Sequence, residues 1–97
     1  MPSFAYRILP PCAEFVATIS PEEMAVMGRH WEHIQRLHGQ GVIRFVGRTL
    51  DGDYGLCVYD AADEAEARRI AESDPAVAEG LMRVEVHAFA VVIDRPV

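Results

Sequence analysis

Runs of apolar residues, broken by proline, glycine and acidic clusters, divide this chain into a strand, a helix, a hairpin, a helix and a strand. Ser3 to Leu9 mixes aromatic and aliphatic residues and stops at Pro10 and Pro11, which lack the N–H a sheet ladder needs, so it predicts a first strand. Pro10 to Ile19 predicts a loop with a short extended piece at Phe15 to Thr18. Ser20-Pro21-Glu22-Glu23 combines an N-cap serine, a proline at the first helical position and a glutamate three residues after the cap. It predicts a helix to about His38, where Gly39 and Gly41 permit left-handed termination. Val42 to Val46 and Tyr54 to Tyr59 are β-branched and aromatic runs joined through Asp51-Gly52-Asp53, a hairpin pattern. Asp63 and Glu66 repeat the capping spacing and open a helix through about Glu72; Asp74-Pro75 starts a further turn that Gly80 can end. Met82 to Ile93 predicts the last strand.

This order predicts an α+β chain of the ferredoxin-like βαββαβ type, one domain over 1–97. Right-handed crossovers then give a four-stranded antiparallel sheet with both helices on one face. The middle strands carry apolar residues at successive positions, Val42, Ile43, Phe45 and Val46 in one and Leu56, Cys57, Val58 and Tyr59 in the other. Apolar groups therefore point to both faces, and a single helical layer buries only one. The expectation is a homodimer in which two sheets pack face to face as a dimeric α/β barrel; the alternative is an apolar face that takes a different partner.

Composition narrows the partners. Fifteen acidic against nine basic side chains leave a net charge of -6, which repels a phosphate backbone, so no nucleic-acid partner is expected. The aromatic signature of an RNA-binding sheet is also missing. No segment approaches the roughly 20 apolar residues of a membrane span, and the N-terminus lacks a signal-peptide pattern. The two cysteines, Cys12 and Cys57, form neither a CxxC pair nor a disulfide framework, so a reducing, cytoplasmic location is expected. No GxGxxG, phosphate-binding loop or Gly-x-Ser-x-Gly occurs, and no cofactor is expected.

Four histidines offer candidate chemistry. At about 100° per residue, Met24, Trp31, Met27, Ile34 and Leu37 share one arc of the first helix. His30 projects between Ile34 and Leu37, toward the sheet. His38 falls inside the arc near the helix end, and His33 at its polar edge. Packing or a favourable place against the helix dipole accounts for His33 and His38. An imidazole among apolar residues under a sheet is a candidate general acid or base, which singles out His30. His30-x-x-His33 with Glu32 falls short of a metal site: residues three apart diverge by about 60° and the i,i+4 pair of a zinc helix is absent, so no metal is expected. The Asp51 to Gly55 segment lacks a calcium-loop pattern. Asp74 has an adequate structural role as a helix cap, worth about 1 kcal/mol, and sequence spacing alone does not bring it to His30.

His30 to Gly41, Val42 to Gly47, the hairpin strand and Glu72-Ser73-Asp74-Pro75 onward to Leu81 together resemble the YCII-related family. The shared pattern is a histidine eleven residues before a strand-opening glycine and a late Asp-Pro followed by a small residue and glycine. His30 matches through its distance to Gly41, and Asp74 through its Asp-Pro. The resemblance implies a dimeric α/β barrel in which His30 and Asp74 form an acid/base pair in a pocket. Two departures concern the pocket rim: Gly47-Arg48 stands where the family often has Gly-Pro, and His87-Ala88 continue an apolar tail where it often has proline. Arg48 places a cation near the rim suited to a small organic acid, and Tyr54 is a candidate lining residue; surface solvation and core packing are their plainer roles.

Three readings stand at this level: a cofactor-independent lyase or isomerase using His30 and Asp74, a non-catalytic dimeric module that binds a small ligand, and a structural protein in which His30 packs and Asp74 caps. The separation of the His30 ring from the Asp74 carboxylate discriminates between them.

Overall fold

The computed structural model describes residues 1–94; positions 95–97 lie outside the described residues. The elements are β1 (Ser3–Leu9), α1 (Phe15–Thr18), α2 (Pro21–Gly39), β2 (Ile43–Arg48), β3 (Gly55–Asp60), α3 (Glu64–Glu72), α4 (Pro75–Ala78) and β4 (Arg83–Ala88). The strands form one antiparallel sheet in the order β2-β3-β1-β4. This is the split βαβ arrangement, in which each crossover skips one strand position and the main helices share a face.

Local chemistry sets the helix starts. Ser20 Oγ accepts from the Glu23 N–H at 3.1 Å while Glu23 Oε1 accepts from the Ser20 N–H at 2.8 Å, so both halves of the capping box form. Asp63 Oδ1 accepts from the Glu66 N–H at 2.8 Å. At the other end of α2, Gly41 takes φ 75°, a left-handed geometry that a side chain disfavours.

The covered face of the sheet holds the core. Phe4, Tyr6 and Ile8 of β1 and Cys57 and Tyr59 of β3 are buried with Ile34 of α2 and Ala67 and Ala71 of α3. The two alanines are fully buried and let α3 approach the sheet closely. Tyr6 and Tyr59 meet edge to face with centroids 5.5 Å apart, a geometry worth about 0.5–1.5 kcal/mol beyond burial. The Tyr59 hydroxyl donates to the Ala67 carbonyl at 2.6 Å, which satisfies its polar end.

On the opposite face, Ala5, Val58 and Phe45 line up across β1, β3 and β2. Ala5 and Val58 are buried, whereas Phe45 is 49% exposed. Polar pairs flank this apolar row: Ser3 with Asp60 and Arg44, and Arg7 with Glu85 at 2.9 Å.

Three expectations change. Phe15 to Thr18 is a short helix instead of an extended piece: Phe15 is buried as an anchor, and the Glu14 carbonyl accepts from the Ala17 and Thr18 N–H groups. The last strand ends at Ala88, well short of Ile93, because its neighbour in the sheet, β1, runs out: Phe4 pairs with Ala88, and the Phe89 N–H reaches the Ser3 carbonyl. On α2 the buried arc is His33, Ile34 and Leu37, so His33 leaves its expected polar edge for the interior, while His38 is exposed. Met24 and Trp31 are 59% and 58% exposed. The cause is the seating of α2, which packs on α4 and leaves open space between its other side and β2.

Candidate functional site

Asp74 is where two roles meet. It precedes Pro75 as the N-cap of α4, and its backbone carbonyl accepts from the Val77 and Ala78 N–H groups at 2.8 Å. Its side-chain oxygens then divide their work. Oδ1 completes the cap by accepting from the Ala76 N–H at 2.9 Å. Oδ2 faces the sheet and α2, where His30 Nδ1 lies at 2.7 Å and the Tyr6 hydroxyl donates at 2.8 Å. The carboxylate is completely buried, and the His30 side chain keeps 17% of its exposure.

Burial by itself would push the Asp74 carboxyl up, but the opposing effects win. The hydrogen bond and charge of His30, the Tyr6 hydroxyl and the Ala76 N–H together hold it below its ordinary value of 3.8. The Tyr6 phenol moves the other way: burial first, then the negative charge of Asp74, raise it above its ordinary 10.0. Burial and the same carboxylate push the Cys57 thiol up to about 12, so it stays a neutral thiol instead of a nucleophile.

His30 forms part of the wall of a cavity of about 500 Å³. Tyr6, Ile8 and Cys57 floor it from the sheet, and Met27 and Trp31 join His30 on the α2 side. α1 covers the remaining side through Phe15 and Val16, opposite the hairpin loop at Gly52. Gly52 has φ 78°, and a Cβ there would collide with the Val16 side chain, so this contact between α1 and the hairpin requires glycine. Arg48 and Tyr54 lie on the same cavity wall, at the hairpin. Arg48 is exposed and has no carboxylate partner among the described residues, whereas the Tyr54 ring also carries the Arg7 guanidinium at 4.7 Å. A second cavity of about 600 Å³ runs between α2 and β2 and shares Trp31, Ile34 and Val46 with the first.

The structure thus brings His30, Arg48 and Tyr54 around one cavity and sets Asp74 behind His30. Tyr6, the third member of the cluster, escapes sequence reasoning: an aromatic in a strand signals core packing, and 68 residues separate it from Asp74. His33 is the other surprise. It is 6% exposed, and among the described residues its Nε2 is buried without a hydrogen-bond partner. Burial lowers its basicity, as do the charges of Arg36 and His30, against the opposing effects of Asp74 and the Ile70 carbonyl. Among the described residues no group of three or more His, Cys, Asp or Glu side chains could hold a metal ion, and no helix is long and apolar enough to cross a membrane.

Fold and site together define a small α+β protein with a split βαβ sheet and a histidine–carboxylate contact in the wall of a cavity. The chain belongs to the YCII-related domain family, whose pattern matches residues 7–90. No curated protein sequence matches it. Among solved structures, it is similar to 5-chloro-2-hydroxyhydroquinone dehydrochlorinase from Burkholderia phenoliruptrix AC1100 in complex with 2,5-dihydroxybenzoquinone. That similarity has TM-score 0.66 and 21% identity over 93% of this chain and 94% of that one. It is also similar to muconolactone isomerase, with TM-score 0.69 and 17% identity over 97% of this chain and 99% of that one. At these identities the likeness establishes a shared fold.

Proposed function

We propose that this protein is a cofactor-independent enzyme that moves a proton on a small organic substrate, in a lyase or isomerase step. His30 is the general base or acid, and Asp74 orients its ring and stabilises the imidazolium formed when it takes a proton. The observation that carries this reading is the 2.7 Å contact between His30 Nδ1 and a fully buried Asp74 carboxylate in the wall of a cavity. A histidine that merely packs has no need of a buried carboxylate, and a cap needs only one oxygen. Arg48, exposed on the cavity wall, suits a substrate carrying a carboxylate or another acidic oxygen, and Tyr54 borders the same space. The names of the two structural neighbours, an isomerase and a dehydrochlorinase bound to a quinone, agree with small cyclic or unsaturated substrates.

The reading includes a homodimer. The row of Ala5, Val58 and Phe45 on the uncovered sheet face suits packing against its own copy, and a cytoplasmic setting suits the free thiols of Cys12 and Cys57. Light scattering distinguishes the cases: a dimer is expected for the wild type and a monomer for Phe45→Glu, and a monomeric wild type would remove this part.

For the chemistry, the test is a turnover screen of small cyclic or unsaturated acids, lactones and hydroxyquinones against wild type and His30→Ala. Loss of turnover in the folded variant is expected. Equal activity in the two proteins would sink the assignment, and thermal stabilisation by a compound that neither protein converts would favour a binding module.

A further inference from the structure

Asp74 Oδ2 receives two groups at once, the Tyr6 hydroxyl at 2.8 Å and His30 Nδ1 at 2.7 Å, while Oδ1 is held by the Ala76 N–H. A phenol has one proton to give. Tyr6 is 1% exposed, and its hydroxyl donates to this carboxylate. We propose that Tyr6 is a positioning residue of the site: by donating to the Asp74 oxygen that faces His30, it keeps that oxygen an acceptor and thereby fixes the N–H of His30 on Nδ1. This rests on the acid–base reading above and adds a residue to it.

The argument follows from counting protons. Were Oδ2 protonated, its hydrogen would turn to the ring and place the lone pair of His30 on Nδ1, leaving Nε2–H and no base on the edge away from Asp74. Donation from Tyr6 stabilises the ionised carboxylate and disfavours that arrangement. The phenol holds its proton firmly because burial and the Asp74 charge oppose ionisation. The groups facing the pair from each packed element leave this role to Tyr6. Cys57 of β3 is a neutral thiol, and His33, on α2 with His30, is biased toward its uncharged form by burial. Arg29 of α2 and Glu79 after α4 neutralise each other in a paired contact at 2.7 and 2.9 Å on the surface. Arg48 and Tyr54 lie across the cavity wall, at the hairpin.

A packing role and a positioning role for Tyr6 differ under Tyr6→Phe, which keeps the ring against Tyr59 and deletes only the hydroxyl. In the full chain, the Asp74 carboxyl is followed by its ¹³C shift against pH and the His30 tautomer by its ring ¹⁵N shifts. Tyr6→Phe is expected to move proton uptake by Asp74 upward, toward 3.8, and, because Oδ2 is no longer anchored against the ring, to admit Nε2–H into the neutral His30 population. A 3-fluorotyrosine placed at position 6, a stronger donor of the same shape, moves the carboxyl further down, and decides the matter even if Tyr6→Phe fails to fold. Unchanged Asp74 titration and unchanged tautomer would overturn the proposal. These readouts need no substrate, so shifts as expected without any turnover would uphold Tyr6's role while refuting catalysis. Where turnover is found, kcat falls and KM holds in Tyr6→Phe.

Discussion

The two sides of α2 place histidines three residues apart in opposite circumstances. On the cavity side, His30 keeps some exposure, and its Nδ1 lies 2.7 Å from a buried carboxylate. On the packed side, His33 is nearly inaccessible, lies against the Ile70 carbonyl, and among the described residues its Nε2 has no hydrogen-bond partner. A buried charge needs a nearby opposite charge to offset desolvation. Asp74 touches His30 and acts on His33 only through its charge, so one ring has a carboxylate in contact, whereas the other is pushed toward its neutral form by burial. Burial alone therefore does not distinguish the two histidines; the carboxylate in contact with His30 does.

The largest effect that would break this contrast comes from Asp74→Asn. Asparagine still offers an N-cap oxygen, so the chain folds. Its NH2, turned to His30, can only donate and so imposes the wrong tautomer. On whichever substrate the screen identifies, kcat/KM is expected to fall about a hundredfold or more. Near-normal turnover in folded Asp74→Asn would erase the distinction between the two rings.

A smaller effect is read in urea unfolding against pH. His33 resists protonation when folded, so the unfolded chain binds more protons, and stability is lost as pH falls below the ordinary histidine value of 6.5. Asp74 has the same sign for a different reason. Its folded carboxyl lies below 3.8, so its contribution is complete above that value and disappears as pH drops through the folded value. His33→Leu should abolish the upper loss and leave the lower one; an upper loss that persists in His33→Leu assigns it to another group.

The smallest effect concerns stability at neutral pH. Ile70 O also accepts from Ser73 Oγ at 2.8 Å, so removing the His33 ring strands no carbonyl. His33→Leu is expected to match wild type or exceed it by up to about 1 kcal/mol in chemical unfolding, because an unpartnered buried nitrogen is replaced by apolar volume. A clear destabilisation would mean that the imidazole does structural work its contacts do not account for.

Short-range chemistry was legible in the sequence. The capping box at Ser20, the Asp63 cap, the Pro-Pro stop after β1, the Asp51-Gly52-Asp53 turn and the alternation of elements depend on residues within a few positions of each other, and each lies where local physics puts it. His30 stood out among four histidines for the same kind of reason, by its angle on a helix and by the family pattern of spacings. The helix arc was less legible. A wheel says which residues can share a side, but the seating of α2 on α4 decides which side is covered, and it turned Trp31 and Met24 toward open space and His33 inward.

What the sequence determined by itself is thus the order of elements, the split βαβ topology that follows from it, and the two residues worth watching. Only the tertiary structure decided that Asp74 uses one oxygen as a cap and the other against His30, that Tyr6 joins them from 68 residues away, and that a cavity opens beside the pair. Hydrogen bonds across such distances depend on how the helices settle on the sheet, which summed packing sets and no local pattern encodes.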